Sequence, residues 1–156
     1  MVKMLKGVIV VAFLVVSGCA LDSLGISFTA DIGGTPYKAI GSWDETDMEG
    51  VPTGQIYAVD IKGNIFIIGV AGAFEEKTYT IGLSGTDMFE AFATYFVASE
   101  GAMYMGQSGT ITVTGKTSER LQGTFAMTLN NPAAAGGENT LEVTNGEFDL
   151  TQVSLP

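Results

Sequence analysis

Apolar and polar residues alternate along much of this chain. In Leu121-Gln-Gly-Thr-Phe-Ala-Met-Thr-Leu129, Leu121, Phe125, Met127 and Leu129 share one face, and Gln122, Thr124 and Thr128 share the other. That period of two marks a strand with one dry and one wet face. Gly109-Thr-Ile-Thr-Val-Thr-Gly115 repeats it with Ile111 and Val113 inward, and residues 116–120 make the turn between the two. A first hairpin runs Ile26–Ile32, Gly33-Gly34, Thr35–Ser42, with Phe28, Ala30, Ile32, Tyr37 and Ala39 on one face. Pro36 cannot donate to a ladder and suggests an edge position. Gln55–Ile61 and Ile65–Ala71 form another hairpin across Lys62-Gly63-Asn64, and the nearly all-apolar Ile65–Val70 predicts a strand covered on both faces. Strand Thr78–Leu83 follows.

Two stretches are more ambiguous. Asn145-Gly146 is the preferred pair for a type I′ turn. It predicts a C-terminal hairpin that pairs Val143 with Phe148 and Leu141 with Leu150, and therefore opposes Glu142 and Asp149. A cation between these carboxylates is one reading; a solvated pair, screened at modest cost, is the other. In residues 86–106, Phe89, Phe92, Ala93 and Phe96 have helical spacing, and Asp87-x-x-Glu90 resembles a capping box. Ala91–Val97 also alternates as a strand, which suits its neighbours better. Residues 130–138 form a loop. The pattern predicts an all-β fold: an antiparallel meander of about ten strands making a β-sandwich or small open barrel, as one domain over residues 26–156.

The N-terminus follows a different pattern. Lys3 and Lys6 precede a wholly apolar run, GVIVVAFLVV, then Ser17, Gly18 and Cys19. This is the order of a secretory signal peptide. Ten helical residues rise only about 15 Å, against a hydrocarbon core of about 30 Å, so a membrane span is the poorer reading. Val16-Ser17-Gly18-Cys19 resembles the lipobox of bacterial lipoproteins. That resemblance implies a diacylglyceryl group on the Cys19 sulfur, cleavage after residue 18 and acylation of the new amine. A thiol suits the position because it forms a stable thioether to lipid, and two or more acyl chains give firm anchoring. Residues 19–25 then form a lipidated tether, of which 20–25 span at most about 21 Å. Ala20 rather than Asp after the cysteine implies, by the same resemblance, the outer membrane, on either its periplasmic face or the cell surface.

Removal of residues 1–18 takes two lysines and leaves five basic against seventeen acidic residues, a net charge of −12. Such a body repels phosphate backbones and excludes nucleic-acid binding; its net charge also opposes contact with anionic headgroups. There is no histidine and, beyond Cys19, no thiol. The Ser-His and Cys-His pairs and the usual zinc ligands are therefore missing. No cofactor is expected.

Phe28-Thr-Ala-Asp-Ile-Gly-Gly-Thr-Pro-Tyr-Lys-Ala39, Tyr79-Thr-Ile-Gly82, Ala93-Thr-Tyr95, Gly109-Thr-Ile-Thr-Val-Thr114, Gly123-Thr-Phe125 and Thr144-Asn-Gly-Glu-Phe148 occur in that order. The chain resembles a family of small uncharacterised lipoproteins of Bacteroidetes-type bacteria. The resemblance implies an envelope lipoprotein with an all-β domain and carries over no catalytic residues.

Candidate sites are sparse. Glu45, Asp47 and Glu49 alternate ahead of Gly50, faintly like the start of a calcium loop; a solvated loop is the competing reading, since the twelfth position from Glu45 is Ile56 rather than Glu. Trp43 offers a ring for stacking on a sugar or other ligand, or for rim packing. Met103, Tyr104 and Met105, with Met88, Phe89, Phe92, Tyr95 and Phe96, supply either core or an adaptable apolar pocket. Three functions follow in order of preference. The first is a non-catalytic, lipid-anchored module binding an envelope protein or glycan. The second is a barrel carrier of an apolar, lipid-like ligand. The third is a glycosidase, which would need two acids about 5–10 Å apart in a cleft. Cys19→Ala is expected to abolish incorporation of labelled palmitate and to leave residues 1–18 attached, read by intact-mass analysis; cleavage and acylation that survive the substitution would refute the lipobox reading.

Overall fold

The computed structural model describes residues 27–48, 50–82, 90–134 and 139–152. The signal segment, Cys19 and the tether lie outside these residues. The described residues form nine strands: β1 (Ser27–Ile32), β2 (Thr35–Met48), β3 (Val51–Asp60), β4 (Ile65–Ala71), β5 (Thr78–Gly82), β6 (Ala91–Val97), β7 (Ala102–Lys116), β8 (Arg120–Asn130) and β9 (Thr140–Thr151). They close into one barrel in the order β1-β2-β3-β4-β6-β5-β7-β8-β9. The all-β expectation holds. The described residues hold nine strands where about ten are expected, and the sheet is a closed barrel rather than a sandwich or open barrel: β9 pairs back onto β1, from Ser27↔Asp149 to Ile32↔Val143, and this closure leaves no long free edge.

The simple meander also fails at one place. β4 pairs with β6, not with β5, and β5 sits between β6 and the second half of β7. The long β7 makes this possible. Its first part pairs with β6 (Thr94↔Met105 to Val97↔Ala102), and a bulge between Gly106 and Ser108 lets the remainder pair with β5. The segment between β4 and β5 crosses the barrel end and buries Phe74 there. β5 meets β6 in parallel, Ile81 opposite Ala91. With β5 counted in the ring this one contact is parallel, while the antiparallel β6–β7 ladder closes the ring beside it.

Several sequence expectations stand. Gly33-Gly34 makes the first turn, both residues at positive φ (56° and 79°), with Ile32 opposite Thr35 and Phe28 opposite Ala39. Pro36 pairs only with Asp31, because β3 first meets β2 at Ala39↔Asp60; the ladder bond it cannot make is not needed there. β7 and β8 pair Ile111 with Phe125 and Val113 with Gly123, as their alternation demanded. Ala91–Val97 is a strand, not a helix. Leu83, Asp87, Met88 and Phe89 lie outside the described residues.

The C-terminal hairpin is overturned. Residues 140–151 form one continuous strand, and Asn145 sits in it as a bulge at φ 52°. Between Thr29↔Glu147 and Asp31↔Thr144, β9 holds two residues where β1 holds one. The extra residue shifts the pleat, so Val143 and Phe148, an odd number apart, both face inward. A hairpin would have put them on one side too, which is why the apolar pattern could not separate the two. Gly146, unlike Asn145, is not left-handed; a Cβ there would overlap the Phe125 carbonyl oxygen and come within 2.6 Å of its ring. The predicted Glu142–Asp149 opposition disappears as well. Arg120 donates two bonds to Asp149 and holds its carboxyl below the usual range, while Thr128 Oγ1 donates to Glu142 at 3.0 Å. We expect Gly146→Ala to cost about 2–3 kcal/mol in urea unfolding and Asn145→Gly less than about 1 kcal/mol; equal costs would argue against the bulge.

Candidate functional site

The inside of the barrel is occupied by aromatic rings. Phe28 stacks on Phe125 at 4.9 Å between centroids, Phe66 lies 5.5 Å from Tyr95, and Phe125 lies 6.3 Å from Phe148. Tyr37 meets Tyr95 edge-on at 5.7 Å. These contacts run from strand to strand across the lumen and fill it with side chains, as in other narrow barrels.

One end of the lumen is plugged. Trp43 is 1% exposed and meets Phe74 edge-on at 6.2 Å. Glu45 Oε1 accepts the Phe74 N–H at 2.7 Å and the Lys116 ammonium, which also donates to the Phe74 carbonyl at 2.9 Å. The Lys116 ammonium lies 5.7 Å from the Trp43 ring centre, within cation–π range. The Trp43 indole N–H is buried with no hydrogen-bond partner. Trp43 is therefore a core ring, with no face open at the surface for stacking on a ligand.

Of the three acids in the expected cation loop, the structure describes Glu45 and Asp47. Glu45 is engaged by Lys116 and Phe74, and Asp47 Oδ1 caps the Gly50 N–H. Glu49 lies outside the described residues. Among the described residues no group of three or more acids, histidines or cysteines is placed to hold a metal ion.

The proposed apolar pocket is also divided. Tyr104 faces the lumen, whereas Met103 and Met105 face outward, each 51% exposed. They belong to an outer wall that sequence reasoning assigned to the core. In one cross-strand row, Ile40, Val59, Ile65, Phe96 and Met103 are neighbours; in the next, Ser42, Tyr57, Ile67, Thr94 and Met105 are. Neither row contains a charge. Phe92, 40% exposed, lays its ring over Gly69, its cross-strand partner, in a third row that ends in an acid, Asp44. β4 is thus not covered on both faces by core: Phe66, Ile68 and Val70 point inward, and Ile65 and Ile67 are half-buried on the outside. The sequence signal was the loss of alternation in Ile65–Val70, which an apolar outer wall produces as readily as burial does.

The opposite wall is polar. Over β7–β9 the outward residues include Thr110, Thr124, Thr128, Glu142, Glu147 and Asp149. Two shallow open grooves of about 290 and 300 Å³ lie there, one along Thr110, Thr124, Asn145 and Glu147, the other along Thr114, Gln122 and Asp149. No family model, curated protein or solved structure matches the chain.

At the other barrel end, Asp60 organises the β3–β4 turn. Its carboxylate accepts the backbone N–H groups of Lys62 and Asn64 at 2.8 and 2.9 Å and the Asn64 side chain at 2.8 Å. The Tyr37 hydroxyl reaches the carbonyls of Asn64 (3.3 Å) and Ala58 (3.4 Å). Burial pushes the Tyr37 phenol well above the ordinary 10.0, and the Asp60 carboxylate raises it further. Folded protein keeps this proton where unfolded chain releases it. The stability it contributes is complete below pH 10 and declines as pH rises beyond it. Tyr37→Phe is expected to make that alkaline decline shallower by about 1.4 kcal/mol per pH unit, read from urea midpoints between pH 8 and 11; an unchanged slope would refute the assignment.

Proposed function

We propose that this protein is a non-catalytic, lipid-anchored module of the cell envelope that binds with the outside of its barrel. The observation that carries this reading is the ring-filled lumen. With centroids 4.9–6.3 Å apart, the interior rings touch one another, and binding falls to the outer walls. Sequence supports the non-catalytic part: there is no histidine, and the single thiol is assigned to lipid. The lipobox-like Val16-Ser17-Gly18-Cys19 supports the anchor and the outer-membrane location, and the resemblance to small envelope lipoproteins agrees with both. Carriage of an apolar ligand requires a void, and the packed lumen favours the module over the carrier. The grooved threonine-and-acid wall is the surface offered to an envelope protein or glycan.

Native mass spectrometry of protein extracted from its own envelope tests this. The expected species is the chain from Cys19 with its acyl groups and no apolar small molecule retained. A lipid-like ligand held in one-to-one ratio after detergent exchange would replace the module with the carrier.

A further inference from the structure

The charge-free rows of the apolar outer wall and the entry point of the chain together identify what covers that wall. Phe28 faces Ala39, so β1 begins level with Ile40, the first residue of an apolar row. Seven residues separate Cys19 from Ser27 and span at most about 25 Å. β4 lies three strands from β1, or about 14 Å around the barrel. A lipid on Cys19 therefore holds the barrel within reach of a bilayer on either side of β1. One side, β9 and β8, presents Glu142, Glu147 and Asp149; the other presents no acid in two successive rows.

The cations sort the same way. Among the described residues, Lys77 pairs with Glu75 and Glu90, Lys116 with Glu45, and Arg120 with Asp149. Lys38 and Lys62 have no such ion pair among these residues. Lys38 adjoins Ala39, the partner of Asp60, and Lys62 follows Asp60 by two residues, so both stand at one end of the apolar wall. Between them in the turn is Ile61, 67% exposed. The acid nearest in sequence, Asp60, spends its oxygens on the turn. Net charge alone would hold the body off an anionic surface; its distribution instead leaves two successive rows of one wall without acid, with Asp44 in the third row beyond them and Lys38 and Lys62 at the opposite rim. Asp60, Glu100 in the β6–β7 turn and Asp31, diagonal to Lys38 across the β1–β2 ladder, are acids near that end.

We infer that this wall rests on the bilayer that anchors Cys19, with its apolar side chains at the headgroup–acyl boundary and Lys38 and Lys62 on lipid phosphates. The inference rests on the lipid-anchor reading above. It sets the orientation of the barrel: the threonine-and-acid wall faces water. The barrel lies on the membrane and does not span it, since Glu142, Glu147 and Asp149 would have to enter hydrocarbon.

The test uses the full lipidated product, purified from its envelope and placed in phosphatidylethanolamine–phosphatidylglycerol vesicles containing a trace of phospholipid with an acyl-chain diazirine. After illumination and digestion, peptides covering 61–71 and 91–105 are expected to carry about tenfold more lipid adduct than those covering 120–130 and 140–151. The pair Met103→Lys with Met105→Lys is expected to lower wall labelling about tenfold, and Thr124→Lys to leave it unchanged. Ile61→Lys, in a turn, gives a second variant that leaves the strands intact. Uniform labelling, an unlabelled wall, or copies cross-linked to each other through the wall would overturn the inference. The acyl mass on the Cys19 peptide is read in the same digest. Its absence sinks the anchor reading, and the labelling pattern still decides the wall.

Discussion

The β1–β9 ladder is the interaction on which everything else depends. It joins the two ends of the sheet and so creates an inside and an outside. Once the sheet is closed, each side chain has one of two fates, and the pleat decides which. The ring closes between β6 and the first part of β7, and β5 enters beside that ladder, antiparallel to the rest of β7 and in one parallel contact with β6. β5 reaches that place because the chain after β4 crosses the barrel end, where Phe74, held by Glu45 and Lys116, packs under Trp43. Closure, plug and strand order are thus one solution.

Closure also carries the functional proposal. Phe28, Phe66, Tyr95 and Phe125 pack against one another across a narrow lumen, and this is what supports the proposal that binding falls to the two outer walls. The walls differ in kind. One carries Ile65, Ile67, Phe96, Met103 and Met105 with no charge in two rows; the other carries threonines and acids. On the proposed lipid anchor, a body with this division would turn one wall toward the membrane and the other toward water. The proposed binding face and orientation both rest on the same alternation that built the strands.

Much of this was legible in sequence wherever alternation was strict. Leu121–Leu129 and Gly109–Gly115 announced β8 and the second part of β7 because each had one apolar face. Gly33-Gly34 announced its turn because both residues adopt positive φ. Legibility ended where one pattern served two structures. Asn145-Gly146 satisfies the inward placement of Val143 and Phe148 as a turn or as a bulge, and only the long-range pairing with β1 separates them. The placement of β5 depends on a contact between residues far apart in sequence, which no local period records. Met103 and Met105 read as core because apolar residues usually are; the inward turn of Tyr104 between them shows that the pair lies outside. The surroundings of Glu45 and Trp43 were not legible for a related reason: both point into the barrel end, where Lys116 and Phe74 engage them.

The most direct measurement is the set of backbone proton contacts at the seam, read by nuclear Overhauser effects in isotope-labelled protein. A closed barrel predicts contacts between Phe28 and Phe148 and between Ile32 and Val143, with none between Val143 and Phe148 across a turn. A Val143–Phe148 contact together with an unpaired β1 would contradict closure, and with it the filled lumen and the two distinct outer walls.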